Sequence, residues 1–460
     1  MKKRASKKRP APPRRIRAKY DAAQITPENA RHWQNADNLS PVRSGSASVR
    51  AMLRKNCRYE FDNNCYARGL LVTLANDVVG TGPRLQLPND VDAEHAFTEW
   101  AGEIGLVNKL STLALAELRD GDGFAKLITN PRLDNIVKLD IRLIESEQVC
   151  SPSAHVFRGD GDDSGVEVDA YGNVVGYWVL GVHPADVPMG DAAVQPTLIP
   201  GNEIIHLFHC VRAGQLRGIP SLTPALPLMA LLRRYTLAVV SAAETAANLA
   251  AFIKTTAPAS GEAAEVEPST ELDLPRNTGL FLPEGWDLSQ LKPEQPCTTY
   301  EMGKREILNE IARCLDMPYN IAACNSSGYN YASGRLDHQT YDRSICVRQS
   351  RMEFMVLDRV LRAWASEYAL AENRVVNITG RDWMFVSRPH VDPGKEARAQ
   401  THYLANHTTT IKDECAKRGL DWETVLRQRG LEIKLMNELG LPVAATPAEA
   451  QTVAPEDDNE

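Results

Sequence analysis

A chain of 460 residues with 43% hydrophobic and 24% charged side chains is globular and has room for more than one domain. The net charge of −7 is uneven: residues 1–19 carry ten Lys or Arg and no acid, which leaves 42 basic against 59 acidic residues elsewhere, a net of −17. Nine cysteines with no CxxC pair, and no apolar leader ahead of them, argue against a disulfide framework and a secretory signal, so reduced thiols in a cytosolic compartment are expected.

The basic arm (KKRASKKRPAPPRRIRAK) cannot bury a core and is expected to be disordered. Contact with nucleic acid or an acidic partner, and a plain solubilising tail, are both open readings. Residues 20–43 hold a short helix around Trp33 and a link. Residues 48–79 read as two helices, the second with Leu70, Leu71, Leu74 and Val78 at helical spacing before Gly80 and Gly82. Helices follow over 92–103, with Phe97 and Trp100 on one side, and over 110–119, ended by Gly121. From Phe124 the pattern alternates as strands do: FAKLI, IVKLDIRLI, a hairpin in VEVDAYGNVVGYWVL, and EIIHLFH at 203–209. The body over 44–220 is therefore α+β.

Residues 212–254 change the pattern. A basic, Gly/Pro-punctuated turn (Arg212, Gly214, Gln215, Arg217, Gly218, Pro220) precedes 228–254, which lacks Pro and Gly and is rich in Ala and Leu. Such a helix is a rod of roughly 40 Å. Small residues recur along it (Ala238, Ser241, Ala242, Ala246, Ala250), a face suited to close packing against copies of itself. A membrane span over 237–253 is disfavoured, because it is shorter than the roughly 20 apolar residues needed and carries Glu244 and Asn248. Residues 255–299 are rich in Pro, Glu, Thr and Gly, with a short strand expected at 279–282. A second helix over 300–315 places Ile307, Ile311 and Leu315 on one face. An uncharged loop over 320–334 comes next, long enough to suggest a task. A long helix over 335–371 offers Ile345, Met352, Met355, Leu361, Trp364 and Tyr368 to the core. Strand and turn at 381–393 and two or three helices to 439 complete the fold, and residues 447–460 are expected to be disordered.

Signatures of chemistry are weak. Residues 160–165 match half a calcium loop, but Tyr171 stands where the bidentate Glu is needed, so a turn is the better reading. His206 and His209, three apart in a strand, fall on opposite faces without a Cys/His cluster, which makes them core or edge histidines. Gly303-Lys304 is followed by Arg305, and Gly394-Lys395 by Glu396, so neither is a Walker loop; GxSxG and HExxH are missing. The Gly121-Asp122-Gly123 run sits at a helix-to-strand turn, where those residues serve the backbone. No catalytic site, metal or cofactor is expected. Arg212, Gln215 and Arg217 can bind a phosphate or pin the turn to the body, and the second reading is favoured. In the loop, Asn325, Ser326, Ser327, Asn330 and Tyr331 offer hydroxyls and amides that can touch a phosphate backbone without the salt-dependent grip of Lys or Arg. An ordinary loop remains the alternative.

Several stretches in order resemble the lambda-type portal proteins of tailed bacteriophages. They are RAMLRKNCRYEFDNNCYARGLL…NDVVGTGPRLQ (50–86), GDGFAKL (121–127), GVEVDAYGNVVGYWV (165–179), EIIHLFHCVRAGQLRGIPSLTPAL (203–226), IARCLDMPYN…NYASGR (311–335) and RPHVDPGKEARAQ (388–400). The likeness covers most of residues 40–440, and RAGQLRGIP is its most specific piece. It implies a portal fold: an α/β wing, long stem helices, a small clip and a C-terminal helical region. Carried onto this sequence, 1–43 is the arm and link, 44–223 the wing and 224–256 the first stem helix. The clip is then 257–298, the second stem helix 299–318 and the tunnel loop 319–334. The outer wing and last helices fill 335–440, and 441–460 is an acidic tail. Arg212, Gln215, Arg217 and Gly218 form the wing–stem turn. The resemblance further implies a homo-oligomeric ring, usually dodecameric, at a capsid vertex, assembled in the host cytoplasm and retained in the virion. Double-stranded DNA passes through it non-specifically. Terminase large subunit, major capsid or scaffold protein and head-completion or tail-connector proteins are its partners, and no membrane is. Another ring-forming or scaffolding capsid protein without a DNA channel is the alternative.

Overall fold

The computed structural model describes residues 31–152, 164–186, 195–248, 252–255, 286–289, 299–386, 393–418 and 420–441. The basic arm, most of the expected clip with its strand at 279–282, residues 160–163, Ala250 and nearly all of the acidic tail lie outside these.

Five helices open the fold: α1 (Pro41–Ser44), α2 (Ala47–Asn63), α3 (Cys65–Val79), α4 (Val91–Glu103) and α5 (Leu106–Asp120). Asn64 separates α2 from α3 because its side chain accepts from the N–H groups of Tyr66 and Ala67, satisfying donors that a helix start leaves open. Asp90 caps α4 in the same way through Ala93 N at 3.2 Å. The apolar stripe of α3 (Leu70, Leu71, Leu74, Val78) is buried as its spacing requires. Short strand β1 (Arg84–Gln86), between α3 and α4, pairs far along the chain with β10 (Asp382–Met384).

The helices pack on an antiparallel sheet of β2 (Asp122–Thr129), β3 (Leu139–Ile144) and β7 (Ile204–Phe208), with β2 central. A second antiparallel sheet joins β4 (Val166–Val168), β5 (Val174–Val179) and β6 (Thr197–Pro200). The expected hairpin is β4–β5, registered Val166 opposite Tyr177. Between the sheets lies a small core of Phe124, Val149, Val166, Tyr177, Val179 and Ile204. The main core is larger and includes an aromatic cluster in which Phe97 meets Trp364 edge-on at 5.3 Å and Trp100 Nε1 donates to Leu139 O at 2.9 Å.

After the basic turn come α6 (Leu226–Asn248), β8 (Phe252–Thr255), β9 (Trp286–Ser289), α7 (Thr299–Arg313) and α8 (Tyr319–Ala322). Then α9 (Tyr331–Met352) runs through a π-turn at Glu353–Leu357 into α10 (Asp358–Ala371). The last helices are α11 (Pro393–Ala405), α12 (Ile411–Lys417) and α13 (Trp422–Glu438). The chain is thus mixed α and β, as its periodicities require.

Three sequence expectations are corrected. The Ala-rich rod is helix over Leu226–Asn248 and does not reach 254, because Phe252–Thr255, rich in strand-forming side chains, pairs antiparallel with Trp286–Ser289. The uncharged loop is shorter than 320–334: α8 occupies its start, and α9 begins at Tyr331 because Asn330 Oδ1 accepts from Ser333 N at 2.8 Å as an N-cap. The segment Thr223–Glu244, which holds an 18-residue window of mean hydropathy 1.3, is long and apolar enough to cross a membrane by length and composition, which 237–253 had not suggested. Its first turns are core: Leu226, Met229 and Leu232 are buried, and Arg233 pairs with the buried Glu60 at 3.1 Å.

Candidate functional site

The site begins where α6 leaves the body. Beyond Tyr235 its apolar side chains lose their cover, with Leu237 and Val240 64% and 59% exposed. Among the small residues, Ala238, Ser241 and Ala242 are exposed, and Ala246 lies on the helix. The helix meets α7 as the sequence suggested. Tyr235 and Tyr300 stack tilted at 5.5 Å, and Tyr300 Oη donates to Thr236 Oγ1 at 3.5 Å. The base of α7 is fixed by buried Leu308, Ile311 and Ala312, while Met302 near its start is 60% exposed. An apolar helix pair that is core at one end and bare at the other calls for further copies or a partner.

The loop 323–330 follows α8. Cys324, Asn325, Ser326, Ser327, Gly328 and Asn330 are exposed, and residues 319–334 carry no charge. Cys324 (φ 49°) and Gly328 (φ 82°) turn the chain through the left-handed region. Asn325 Oδ1 accepts from Ser327 N at 2.9 Å and Asn325 N donates to Asn320 O at 3.1 Å, so the loop is internally tied. Of the five polar residues singled out, Asn325, Ser326, Ser327 and Asn330 share this surface; Tyr331 belongs to the first turn of α9.

The basic turn ends in a buried charge hub. Arg217 Nε donates to Asp122 Oδ2 at 2.8 Å, and both side chains are almost entirely buried. Its other nitrogens donate to Val149 O (2.9 Å), Ser164 O (2.6 Å) and Ser146 O (3.1 Å), and its guanidinium lies 4.9 Å from the centre of the Phe124 ring. Asp122 Oδ1 accepts from Gly218 N at 2.5 Å and from His206 Nε2 at 3.0 Å. His206 Nδ1 is then the acceptor for Tyr177 Oη at 3.4 Å. Burial alone would raise the pKa of Asp122, but Arg217, His206 and the Gly218 N–H outweigh it and hold the carboxyl far below the ordinary range. Burial pushes His206 down, so the ring is neutral in the fold despite its carboxylate neighbour.

The glycines fit the hub together. A Cβ on Gly218 would lie 1.8 Å from Gly121 O, and Gly121 itself has φ 91°. Two backbone segments thus touch, Gly121 at the end of α5 and Gly218 in the turn. Ser221 N donates to Leu118 O at 2.9 Å, and Cys314 Sγ donates to Ser221 O at 3.1 Å, extending the join to the end of α7. Arg212 donates to Ser44 Oγ (3.1 Å) and Leu39 O (3.0 Å), and Gln215 spans the turn through Arg217 O (2.8 Å). These side chains bind the protein's own backbone and side chains, which favours pinning of the turn over a phosphate cradle. Asp122 was missed from sequence as a hub; the only available signal was an acid between two glycines, which a simple turn also explains. His206 is a core histidine, as read.

Among the described residues, one group has metal-ligand spacing: Glu145, Glu147 and His183, with ligand atoms within 4.8 Å of one another. Arg58 already pairs with Glu145 (3.4 Å) and Glu147 (3.0 Å), and Arg54 with Glu147 (3.1 Å). His183 Nδ1 accepts from Ala185 N at 3.1 Å, which places the ring proton on the nitrogen a metal would need. The group is an ion-pair cluster.

The family model described as "Phage portal protein, lambda family" matches residues 28–349. The "Probable portal protein" of Halomonas phage phiHAP-1 is 22% identical over 436 residues, covering 85% of this chain and 81% of that protein. Among solved structures, a chain from the neck of an empty GTA particle aligns with TM-score 0.48 and 15% identity, covering 81% of this chain and 93% of that one. A chain from the virion of a native gene transfer agent particle aligns with TM-score 0.45 and 15% identity, with coverages of 81% and 93%.

Proposed function

Since the chain belongs to the lambda family of phage portal proteins, we propose that it forms a dodecameric ring at one capsid vertex, through which double-stranded DNA is packaged and ejected. The observation that carries this reading is the α6–α7 pair, whose base is core and whose far turns expose Leu237, Val240 and Met302. Repeated around a closed ring, each small-faced α6 covers the next, which removes that apolar surface from water. The pair forms the stem, residues 44–223 the wing, residues 257–298 the clip, and the loop at 323–330 the part nearest DNA. A net charge of −17 outside the arm repels DNA and keeps the conduit from adhering to it. The role is structural, in the virion after assembly in host cytoplasm. Packaging energy comes from terminase large subunit docked on the clip, later replaced by head-completion or tail-connector proteins, while capsid or scaffold protein surrounds the wing. We read α6 as a subunit interface instead of a membrane span, because Arg233 and the buried Leu226, Met229 and Leu232 tie its first half to the body.

Native mass measurement of the purified full-length protein tests the ring. A closed oligomer is expected, and a persistent monomer refutes the proposal. Replacing Asn325, Ser326 and Ser327 with Lys tests the conduit: rings still assemble, and packaging stalls on the added phosphate contacts. Rings that package normally with those lysines would show that the loop does not face DNA.

A further inference from the structure

A cleft of about 140 Å³ lies between α4 and the C-terminal helices, remote in sequence from the stem and loop. Leu87, Pro88, Val91 and Trp422 give it apolar walls. Gln86 also lines it; that residue is only 6% exposed, and its Oε1 has no hydrogen-bond partner. A buried acceptor left open is unfavourable until a donor arrives. The charged lining is chiefly acceptor as well: Glu94, Asp421 and Glu423 face a single fixed cation, Lys412, with His95 beside them. Glu94 Oε2 accepts from Leu87 N at 2.6 Å, and Asp421 accepts from Thr424 N at 2.8 Å. Glu423 reaches Arg427 at 3.6 Å, where the arginine is largely in solvent. Burial raises the pKa of Glu94 and the Asp421 charge adds to it, so a cation in the cleft would favour the ionised Glu94 carboxylate.

Acceptors and carboxylates at the polar wall, with an indole and aliphatic faces beside them, suit an ammonium or guanidinium on an aliphatic stem. The volume is roughly ten times what one water needs, enough for a side chain. This chain carries such groups in bulk: residues 1–19 hold ten Lys or Arg and no acid. The 30 residues ahead of the described chain can span up to about 100 Å when extended, so reach is not limiting. We propose that this cleft binds Lys and Arg side chains, and that its occupant is the basic N-terminal arm, residues 2–19, of this chain in the same or a neighbouring subunit.

The test uses protein lacking residues 2–19 and a synthetic peptide of residues 1–19, titrated by calorimetry at moderate salt. Glu94→Gln with Glu423→Gln keeps the Leu87 hydrogen bond and removes two charges. Glu306→Gln with Glu310→Gln makes the same charge change on the exposed face of α7. The proposal expects the cleft pair to weaken peptide binding at least ten-fold while the α7 pair leaves it unchanged. In the full-length protein, zero-length carbodiimide coupling should join arm lysines to Glu94 or Glu423. No peptide binding, equal weakening by both pairs, or coupling confined to other carboxylates would each overturn it and leave a water-filled cleft. Matched thermal melts of the two pairs exclude a folding defect as the cause.

Discussion

Arg217→Met is the most informative single change. It keeps the length of the side chain and removes every donor that Arg217 sends to Asp122, Val149, Ser164 and Ser146. Asp122 is then a buried carboxylate held by His206, the Gly218 N–H and, at 3.3 Å, Ser146 Oγ, with its paired cation gone. Breaking a buried pair by removing one partner costs about 3–5 kcal/mol, a substantial share of the roughly 5–15 kcal/mol typical of a domain. The double variant Arg217→Met/Asp122→Leu removes the stranded charge too and should recover part of the loss, giving a coupling of about 1–3 kcal/mol. The assay is amide hydrogen exchange at Gly218 and Ser221 alongside urea denaturation, because a chain of this size need not unfold in one step. The folded-state pKa of Asp122 is depressed, so its stabilisation is fully present above the unfolded value of about 3.9 and disappears as pH falls through the folded value. The parent's contribution from Asp122 should therefore be equal at pH 7 and pH 5. In the single variant, with Arg217 gone, burial raises the pKa of the carboxyl and it takes up its proton at higher pH, so the deficit should shrink as pH falls. Unchanged exchange at both amides, with denaturation midpoints matching the parent, would refute the latch.

Other outcomes follow from the same geometry. Gly218→Ala puts a methyl 1.8 Å from Gly121 O, a backbone clash with no flexible atom to yield, so the variant should be insoluble or lose at least as much stability as Arg217→Met on denaturation. His206 is held neutral by burial, so it stabilises the fold above the unfolded pKa of about 6.5 and that part is lost as pH falls below it. His206→Gln can still donate to Asp122 but does not titrate, and its stability should change less between pH 7 and pH 5 than the parent's. The Cys57 thiol is fully buried and pushed up to about 12, chiefly by burial. A thiol reagent should label exposed Cys65, Cys210, Cys324 and Cys346 in the native protein and reach Cys57 only on unfolding; rapid native labelling of Cys57 would contradict this packing.

Much of the fold was legible because it is local. The stripes in α3 and α7, the β4–β5 hairpin and the long helix through Trp364 follow from spacing that one face of an element imposes on its own residues. The errors fell where a distant partner or a cap decided the outcome. Residues 252–255 follow an Ala-rich run that favours helix, yet they pair with a strand more than thirty residues on. Asn330 looked like loop chemistry and acts as a cap, which shortened the surface assigned to DNA. For the turn at 212–220 the sequence favoured pinning the chain to the body, but the partner that Arg217 meets there was invisible. Asp122 lies 95 residues from Arg217, and no pattern in either segment names the other.

By itself the sequence determined the α+β class, the separation of a basic arm from an acidic body, the Ala-rich helix with its second helical partner, and a family resemblance carried by ordered segments. The first three rest on composition or short-range periodicity, and the resemblance on matching segments in the same order. The tertiary structure decided where α6 stops, that Asp122 and His206 complete the anchor for the RAGQLRGIP turn, and that Gly121 and Gly218 are in backbone contact. It also decided that Gln86 has an unpaired acceptor in a cleft with Trp422, a residue more than three hundred positions away. Those features depend on which atoms meet across the fold, and such meetings are set by the packing of the whole chain.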